Sequence, residues 1–371
     1  MDKRIAILAG DGIGPEVVKQ AIKVLDAIAH RFDHNFNYDV ALVGAAAIDA
    51  TGNPLPDETV EACRLSDAIL FGAIGDPKYD NNPSARVRPE QGLLRLRKNL
   101  GLYANIRPVQ LFSSLIERSP LKEERIYGTD LIVYRELTGG IYFGEKGRTE
   151  GGKSAFDHCV YTDYEIERIA KMAFEAALRR RKKVTLVDKA NVLETSRLWR
   201  EIVQKTAHAY PLVDVEYLFV DNAAMQIIQR PNQFDVILTE NMFGDIISDE
   251  TSVITGSIGL LPSASVGEQT SLFEPIHGSY PEAAGKDIAN PIATILSAAM
   301  LLDSFDMFEE AKLVRNIVKK VIDKGLVTQD LNPDSFIACS KVGDVISLLI
   351  ESDLEDENAF DNLFEGNLPL I

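Results

Sequence analysis

Short apolar runs alternate along this chain with longer stretches whose apolar residues recur every three or four positions. Ile5–Leu8, Ala68–Ala73, Leu131–Tyr134, Val184–Val187, Val215–Val220 and Val236–Thr239 predict strands. Several are apolar throughout and are expected to be buried on both faces. Between them Asp163–Arg179, Glu194–His208 and Ala223–Gln229 carry helical spacing, and another helix starts near Pro15, where proline suits the first turn. Helices dominate from Pro291 to about Ile350. Such alternation predicts an α/β fold with mixed or parallel sheets. Leu137–Gly152 and Thr255–Gly267, rich in glycine, predict long loops. A length of 371 residues implies two domains or one elaborate one, and no repeat or low-complexity linker marks a boundary.

Composition narrows the partners. Contents of 46% hydrophobic and 26% charged residues are those of a globular protein. With 39 basic against 56 acidic residues the formal charge is −17, which argues against a nucleic-acid or anionic-membrane partner. Part of the acidic excess lies from Glu351 onward, where no basic residue occurs, and reads as a solvated terminus. Cys63, Cys159 and Cys339 are odd in number and lack ligand spacing, so they read as reduced, mostly buried thiols of a cytoplasmic protein. The first residues enter a strand rather than a signal peptide, and Pro291–Leu302 is too short to span a bilayer.

Five groups of residues carry candidate chemistry, each with a plainer alternative. Gly10-Asp-Gly-Ile-Gly14-Pro-Glu16 lies between a strand and a helix, but Pro15 stands where a dinucleotide-binding fingerprint needs its third glycine. A tight turn explains the cluster equally well. Arg97, Arg107 and Arg135 offer planar guanidinium groups that match carboxylates through paired hydrogen bonds. Arg107 and Arg135 each end a strand-like run, where α/β proteins place ligands, although three unrelated surface ion pairs fit the spacing too. Asp245 and Asp249 fall four residues apart on a helix and so share a face. That face either holds a hard divalent cation or is simply solvated, and Ile246 and Ile247 favour the first.

Tyr142, Lys189 and Asp221 each follow or end an apolar run. Lys189 suits a general base if a cation lies near it, or a solvated strand end otherwise. Asp221 is expected as the N-cap of the next helix, and Tyr142 suits core packing. Finally, Phe273–Glu282 and Gly285–Pro291 combine glycine, serine and exposed amides in a loop able to wrap a nucleotide, with a plain turn-rich loop as the alternative. There Glu282 can accept hydrogen bonds from both ribose hydroxyls and would repel a 2′-phosphate.

Taken in order, Gly10–Glu16, the three arginines, Glu136–Gly144, Asp188–Glu194, Asn241–Asp249 and His277–Pro291 resemble the β-decarboxylating dehydrogenases. That family acts on isopropylmalate, isocitrate, homoisocitrate or tartrate. Glu90-Gln-Gly-Leu93-Leu94 is similar to the isopropylmalate branch, in which the leucines wall an apolar slot and Glu90 would repel an additional carboxylate. The resemblance implies a two-domain fold with a mixed sheet flanked by helices, distinct from the Rossmann type. One domain would join residues 1–102 and 255–371 and carry most of the NAD site. The other, 103–254, would carry the dimer interface and much of the substrate site.

It further implies a homodimer, with Lys189 and Asp221 reaching into the partner's site. Arg97, Arg107, Arg135 and Asp221 would bind substrate beside Glu90, Leu93 and Leu94. Magnesium or manganese would be held by Asp221, Asp245 and Asp249, with Lys189 as base and Tyr142 as proton donor. NAD would lie against Ile13, Glu274, His277, Gly278, Ser279, Glu282, Ala289 and Asn290.

Overall fold

The computed structural model describes residues 1–80 and 87–352; the acidic segment beyond Ser352 lies outside the described residues. The chain divides into two compact units, residues 1–91 with 273–371 and residues 92–272. The boundaries 102/103 and 254/255 expected from sequence both fall inside the second unit. The pairing of Ala264–Val266 with Ala104–Ile106 accounts for the second boundary, because it ties residues beyond 254 to that unit.

In the first unit, β1 (Asp2–Gly10) runs into α1 (Gly14–Phe32), followed by β2 (Asn35–Val40), α2 (Gly44–Thr51), α3 (Asp57–Arg64), β3 (Ala68–Ala73) and α4 (Pro77–Asp80). β1 pairs in parallel with β2 on one side and β3 on the other. All six residues of β3 are buried, as its unbroken apolar run predicts. Proline stands at the start of α1, where its missing N–H costs nothing.

The second unit begins within α5 (Pro89–Asn99) and continues through β4 (Ala104–Gln110), α6 (Glu123–Ile126), β5 (Asp130–Glu136), β6 (Lys146–Thr149), β7 (Ser154–Asp157), α7 (Asp163–Leu178) and β8 (Lys183–Asp188). After these come α8 (Glu194–Ala207), β9 (Asp214–Phe219), α9 (Val220–Gln229), β10 (Val236–Thr239), α10 (Asn241–Ser252) and β11 (Pro262–Val266). Its sheet runs β11-β4-β5-β10-β8-β9. The pairs β11–β4 and β4–β5 are antiparallel; β5, β10, β8 and β9 are mutually parallel. Four strands therefore end on one edge. Trp199, Phe174, Ile166 and Ile169 pack with Leu186 and Leu238 in this unit's core, and Tyr161 meets Trp199 edge-on at 5.4 Å between ring centroids. Thr162 and Glu165 form a reciprocal capping box that starts α7.

With β12 (Ser271–Pro275), which lies beside β3, the chain returns to the first unit. There α11 (Ile292–Ser304), α12 (Phe308–Asp323) and α13 (Cys339–Glu351) complete it. α11 is buried almost all round, so the apolar run from Pro291 is a core helix. Among the described residues no helix is long and apolar enough to cross a membrane.

Sequence and structure part in several places. The strand expected to reach Val220 stops at Phe219, because Val220 already begins α9. The glycine-rich stretches are not wholly loops. Residues 146–149 form β6, and 262–266 form a buried strand of small residues that lacks a β-branched signature except at its last position. Arg107 sits in the middle of β4, opposite Val133, rather than at a strand end.

The Gly10–Glu16 cluster resolves as a tight turn. The N–H groups of Asp11, Ile13 and Gly14 donate to Ala73 O, Ser279 O and Asp11 O at 2.8–2.9 Å, so these donors are committed to protein carbonyls. Asp11 in turn accepts from the N–H groups of Ala45, Ala46 and Gly75. Gly12 has a φ of +59°, and a Cβ there would stand 2.0 Å from Ser279 O. Gly12→Ala should therefore cost more than the roughly 1–2 kcal/mol of the left-handed conformation alone. Urea unfolding measures this, and a loss below about 1 kcal/mol would contradict the packing described.

Candidate active site

The parallel strands of the second unit deliver their last residues to one edge. Arg135 on β5 lies level with Thr239 on β10, which lies level with Val187 on β8. Asp188 on β8 lies level with Phe219 on β9. Lys189, Asp221 and the start of α10 therefore follow the carboxyl ends of adjacent parallel strands. This is the edge at which α/β sheets bind ligands.

Arg135 is the centre of the site. It is 5% exposed, and burial pulls its guanidinium down to about 10. It forms an ion pair with Asp245, and Asn241 Oδ1 accepts from its Nε and Nη2 at 3.2 and 2.9 Å. Its aliphatic stem needs the missing side chain of Gly244, where a Cβ would meet Arg135 Cγ at 2.5 Å. The Tyr142 hydroxyl donates to the other oxygen of Asp245 at 2.9 Å. Partial burial and the Asp245 charge raise the phenol above its ordinary value, so it stays protonated and able to give a proton.

Arg107 repeats the pattern one turn along α10. Its Nη1 donates to Asp249 Oδ1 at 2.8 Å and to Ser248 Oγ at 2.7 Å, while its Nε donates to Asn105 Oδ1. Asp245 and Asp249 do share a helix face, and in this state two arginines rather than solvent alone balance them. Arg97 lies close enough to act on the Arg135 charge. On α5, Leu93 is half-buried and Leu94 exposed, so the proposed apolar wall is accessible.

Lys189 and Asp221 form a separate ion pair, which holds the Asp221 carboxyl below its ordinary value. Asp221 is not the expected N-cap. Phe219 occupies that position and Asp221 lies in the first turn of α9, where its charge suits the helix dipole. β8 stands two strands from β5, or about 10 Å. Among the described residues no three His, Cys, Asp or Glu side chains gather as a metal-holding group. One chain thus brings together Asp245 and Asp249 but not Asp221.

Beneath the arginines lies a buried polar layer that sequence reasoning missed. Tyr161 donates to Glu240 Oε2 at 3.1 Å and accepts the N–H of Asn241 at 2.9 Å. Glu240 caps α10 by accepting Phe243 N–H, and burial raises its carboxyl. Glu136, fully buried and raised for the same reason, accepts from Thr138 and Gly139. The one available signal was the pair Glu240-Asn241 directly after the apolar run Val236–Thr239.

In the first unit, Ile13 and Ala289 share a small apolar cluster with Val17, Ala283 and Cys339. Ser279 O receives Ile13 N–H, Glu274 and Ser279 are buried, and Gly278 and Glu282 are exposed. His277 Nδ1 lies 2.9 Å from Gly278 O, whereas its Nε2 is buried without a partner, and burial lowers the imidazole. A buried ring nitrogen without a partner, in a loop that also exposes Gly278 and Glu282, fits a polar ligand. Asn290 has a structural task. Its amide spans Asp330 and the Ile292 N–H at the head of α11.

Comparison with known proteins places these observations. The family model for isocitrate/isopropylmalate dehydrogenase matches residues 4–346. The chain is 53% identical over 370 residues to 3-isopropylmalate dehydrogenase of Bacillus subtilis, covering 98% of this chain and 100% of the relative. It is 56% identical over 331 residues to the Bacteroides fragilis protein of the same name, covering 89% and 93%. Among solved structures, isocitrate dehydrogenase from Methylococcus capsulatus matches with a TM-score of 0.83 at 35% identity, over 94% of this chain and 99% of that one. A β-decarboxylating dehydrogenase from Thermococcus kodakarensis matches with a TM-score of 0.78 at 37% identity, over 94% and 96%.

The Tyr161 bridge generates one expectation. Tyr161→Phe would leave the Asn241 N–H and one Glu240 oxygen without their partner inside the core, a cost of about 1–3 kcal/mol. Chemical denaturation should show that loss; an unchanged midpoint would mean the layer is not load-sharing.

Proposed function

The chain belongs to the isocitrate/isopropylmalate dehydrogenase family, and we propose that it oxidises and decarboxylates 3-isopropylmalate with NAD. The products are 4-methyl-2-oxopentanoate and carbon dioxide, a step of leucine biosynthesis. One observation carries the reading. Along α10, which follows the carboxyl end of β10, two arginines and the Tyr142 hydroxyl meet two aspartates, in a chain that also offers exposed Leu94.

Arg97, Arg107 and Arg135 clamp the two carboxylates, while Leu93 and Leu94 receive the isopropyl group and Glu90 discourages a third carboxylate. Asp245 and Asp249 present hard oxygen donors on one helix face, which fits magnesium or manganese, with Asp221 of the partner subunit as the third donor. When bound, the ion supplies Lewis-acid polarisation of the substrate oxygen and NAD supplies the hydride acceptor. Lys189, also from the partner subunit, accepts the hydroxyl proton as the C2 hydride leaves. Loss of carbon dioxide from the resulting β-keto acid gives an enolate, and Tyr142 protonates its carbon.

Several features support the remaining parts of this reading. The unpartnered His277 Nε2 and exposed Glu282 suit the adenosine half of NAD. A homodimer is supported by exposed Met225 and Ile228 on α9 and Ile246 on the adjoining α10. Three free cysteines suit the reducing cytoplasm.

Following NADH formation from 3-isopropylmalate by absorbance tests the reading; no turnover with NAD and a divalent ion would refute it. Tyr142→Phe should lower kcat by about 10²–10⁴ with KM nearly unchanged, and a raised KM with normal kcat would contradict the proton-donor role. Glu282→Lys should shift the NADP/NAD preference toward NADP, and an unchanged ratio would remove the ribose argument.

A further inference from the structure

We propose that Asn241 is the positioning residue of this site, locking the substrate-clamping Arg135 and the turn that carries Tyr142 into one rigid unit. The inference rests on the proposed dehydrogenase reading and adds to it a residue that touches neither substrate nor cofactor.

Asn241 is 1% exposed and stands at the first position of α10. Its Oδ1 accepts two hydrogen bonds from Arg135, at Nε and Nη2. Its Nδ2 donates to Gly139 O at 3.2 Å. Gly139 directly precedes the helical turn Gly140–Tyr142. One amide thus joins the strand that carries the guanidinium to the turn that carries the phenol. The orientation of that amide follows from chemistry alone, because a guanidinium only donates and a carbonyl only accepts. Among side chains of this length, only asparagine offers both roles without charge.

Neutrality is the second requirement. Arg135 must keep its charge available for a substrate carboxylate. An aspartate at 241 would pair with it permanently and leave Gly139 O without a donor. Asparagine fixes the guanidinium plane and adds no competing charge. The amide is itself anchored, because the Asn241 N–H donates to Tyr161 OH and the Tyr161 ring fills the space beside Gly139 and Gly140. A Cβ at Gly140 would meet Tyr161 OH at 2.2 Å. The turn is therefore held by the Tyr161 ring packed beside Gly139 and Gly140 and by the Asn241 hydrogen bond to Gly139 O.

The test compares steady-state kinetics of the wild type, Asn241→Asp and Asn241→Ser, each checked for folding by thermal melting. Asn241→Asp keeps the volume and should raise the KM for 3-isopropylmalate by about tenfold or more, with the KM for NAD within about twofold of wild type. Asn241→Ser releases both contacts and should cut kcat/KM for the substrate by about 10²-fold, the usual cost of misplacing a reacting group by about an ångström. Should the aspartate variant fail to fold, the serine variant decides the matter. Losses spread equally over NAD and substrate, or no loss at all, would overturn the positioning role while leaving the dehydrogenase reading intact. A wild-type enzyme that forms no NADH from 3-isopropylmalate would sink that reading instead.

Discussion

The site depends on one electrostatic arrangement, in which the buried Arg135 and the half-buried Arg107 face aspartates along a single helix. Arg135 pairs with Asp245, and Arg107 pairs with Asp249 one turn further on. Two like charges four residues apart would repel; two guanidinium groups crowded together would repel as well. Interleaved, the four groups neutralise one another. On the proposed function, a dicarboxylate and a divalent cation bring no net charge between them, and together they would take over both sets of partners. Either one alone would leave half of the charges unpaired in a partly buried site, which is costly.

Backbone geometry makes that arrangement possible. Parallel pairing of β5, β10, β8 and β9 sets Arg135, the start of α10, Lys189 and Asp221 along one edge. Antiparallel β4 then lies beside β5 and carries Arg107 toward Ser248 and Asp249. The first unit solves a different problem. Its glycine-rich turn after β1 commits the N–H groups of Asp11, Ile13 and Gly14 to Ala73, Ser279 and Asp11. In the loop containing His277 and Glu282, Gly278 and Glu282 are exposed and a buried His277 Nε2 has no partner.

Much of this was legible in the sequence where burial leaves an unmixed signature. β3 and β10 match their apolar runs end to end, since strands covered on both faces admit few polar residues. The candidate chemistry was legible too, because Asp245 and Asp249 share a face by helical period alone. What sequence could not supply was the partner of each charge. Arg107 meets Asp249 across 142 positions and Arg135 meets Asp245 across 110, distances no local pattern encodes. The buried layer of Tyr161, Glu240 and Asn241 was hidden for the same reason, as was β11, whose small residues carry little strand propensity.

Linkage between substrate and cation tests this charge exchange most directly. Titrating Mn²⁺ into the enzyme, followed by the loss of its free-ion electron paramagnetic resonance signal, gives its affinity with and without saturating 3-isopropylmalate. The account predicts that substrate tightens Mn²⁺ binding by at least about 5-fold, since each ligand prepays the other's broken pair, with the reciprocal gain for substrate. Equal Mn²⁺ affinity in both conditions would contradict it.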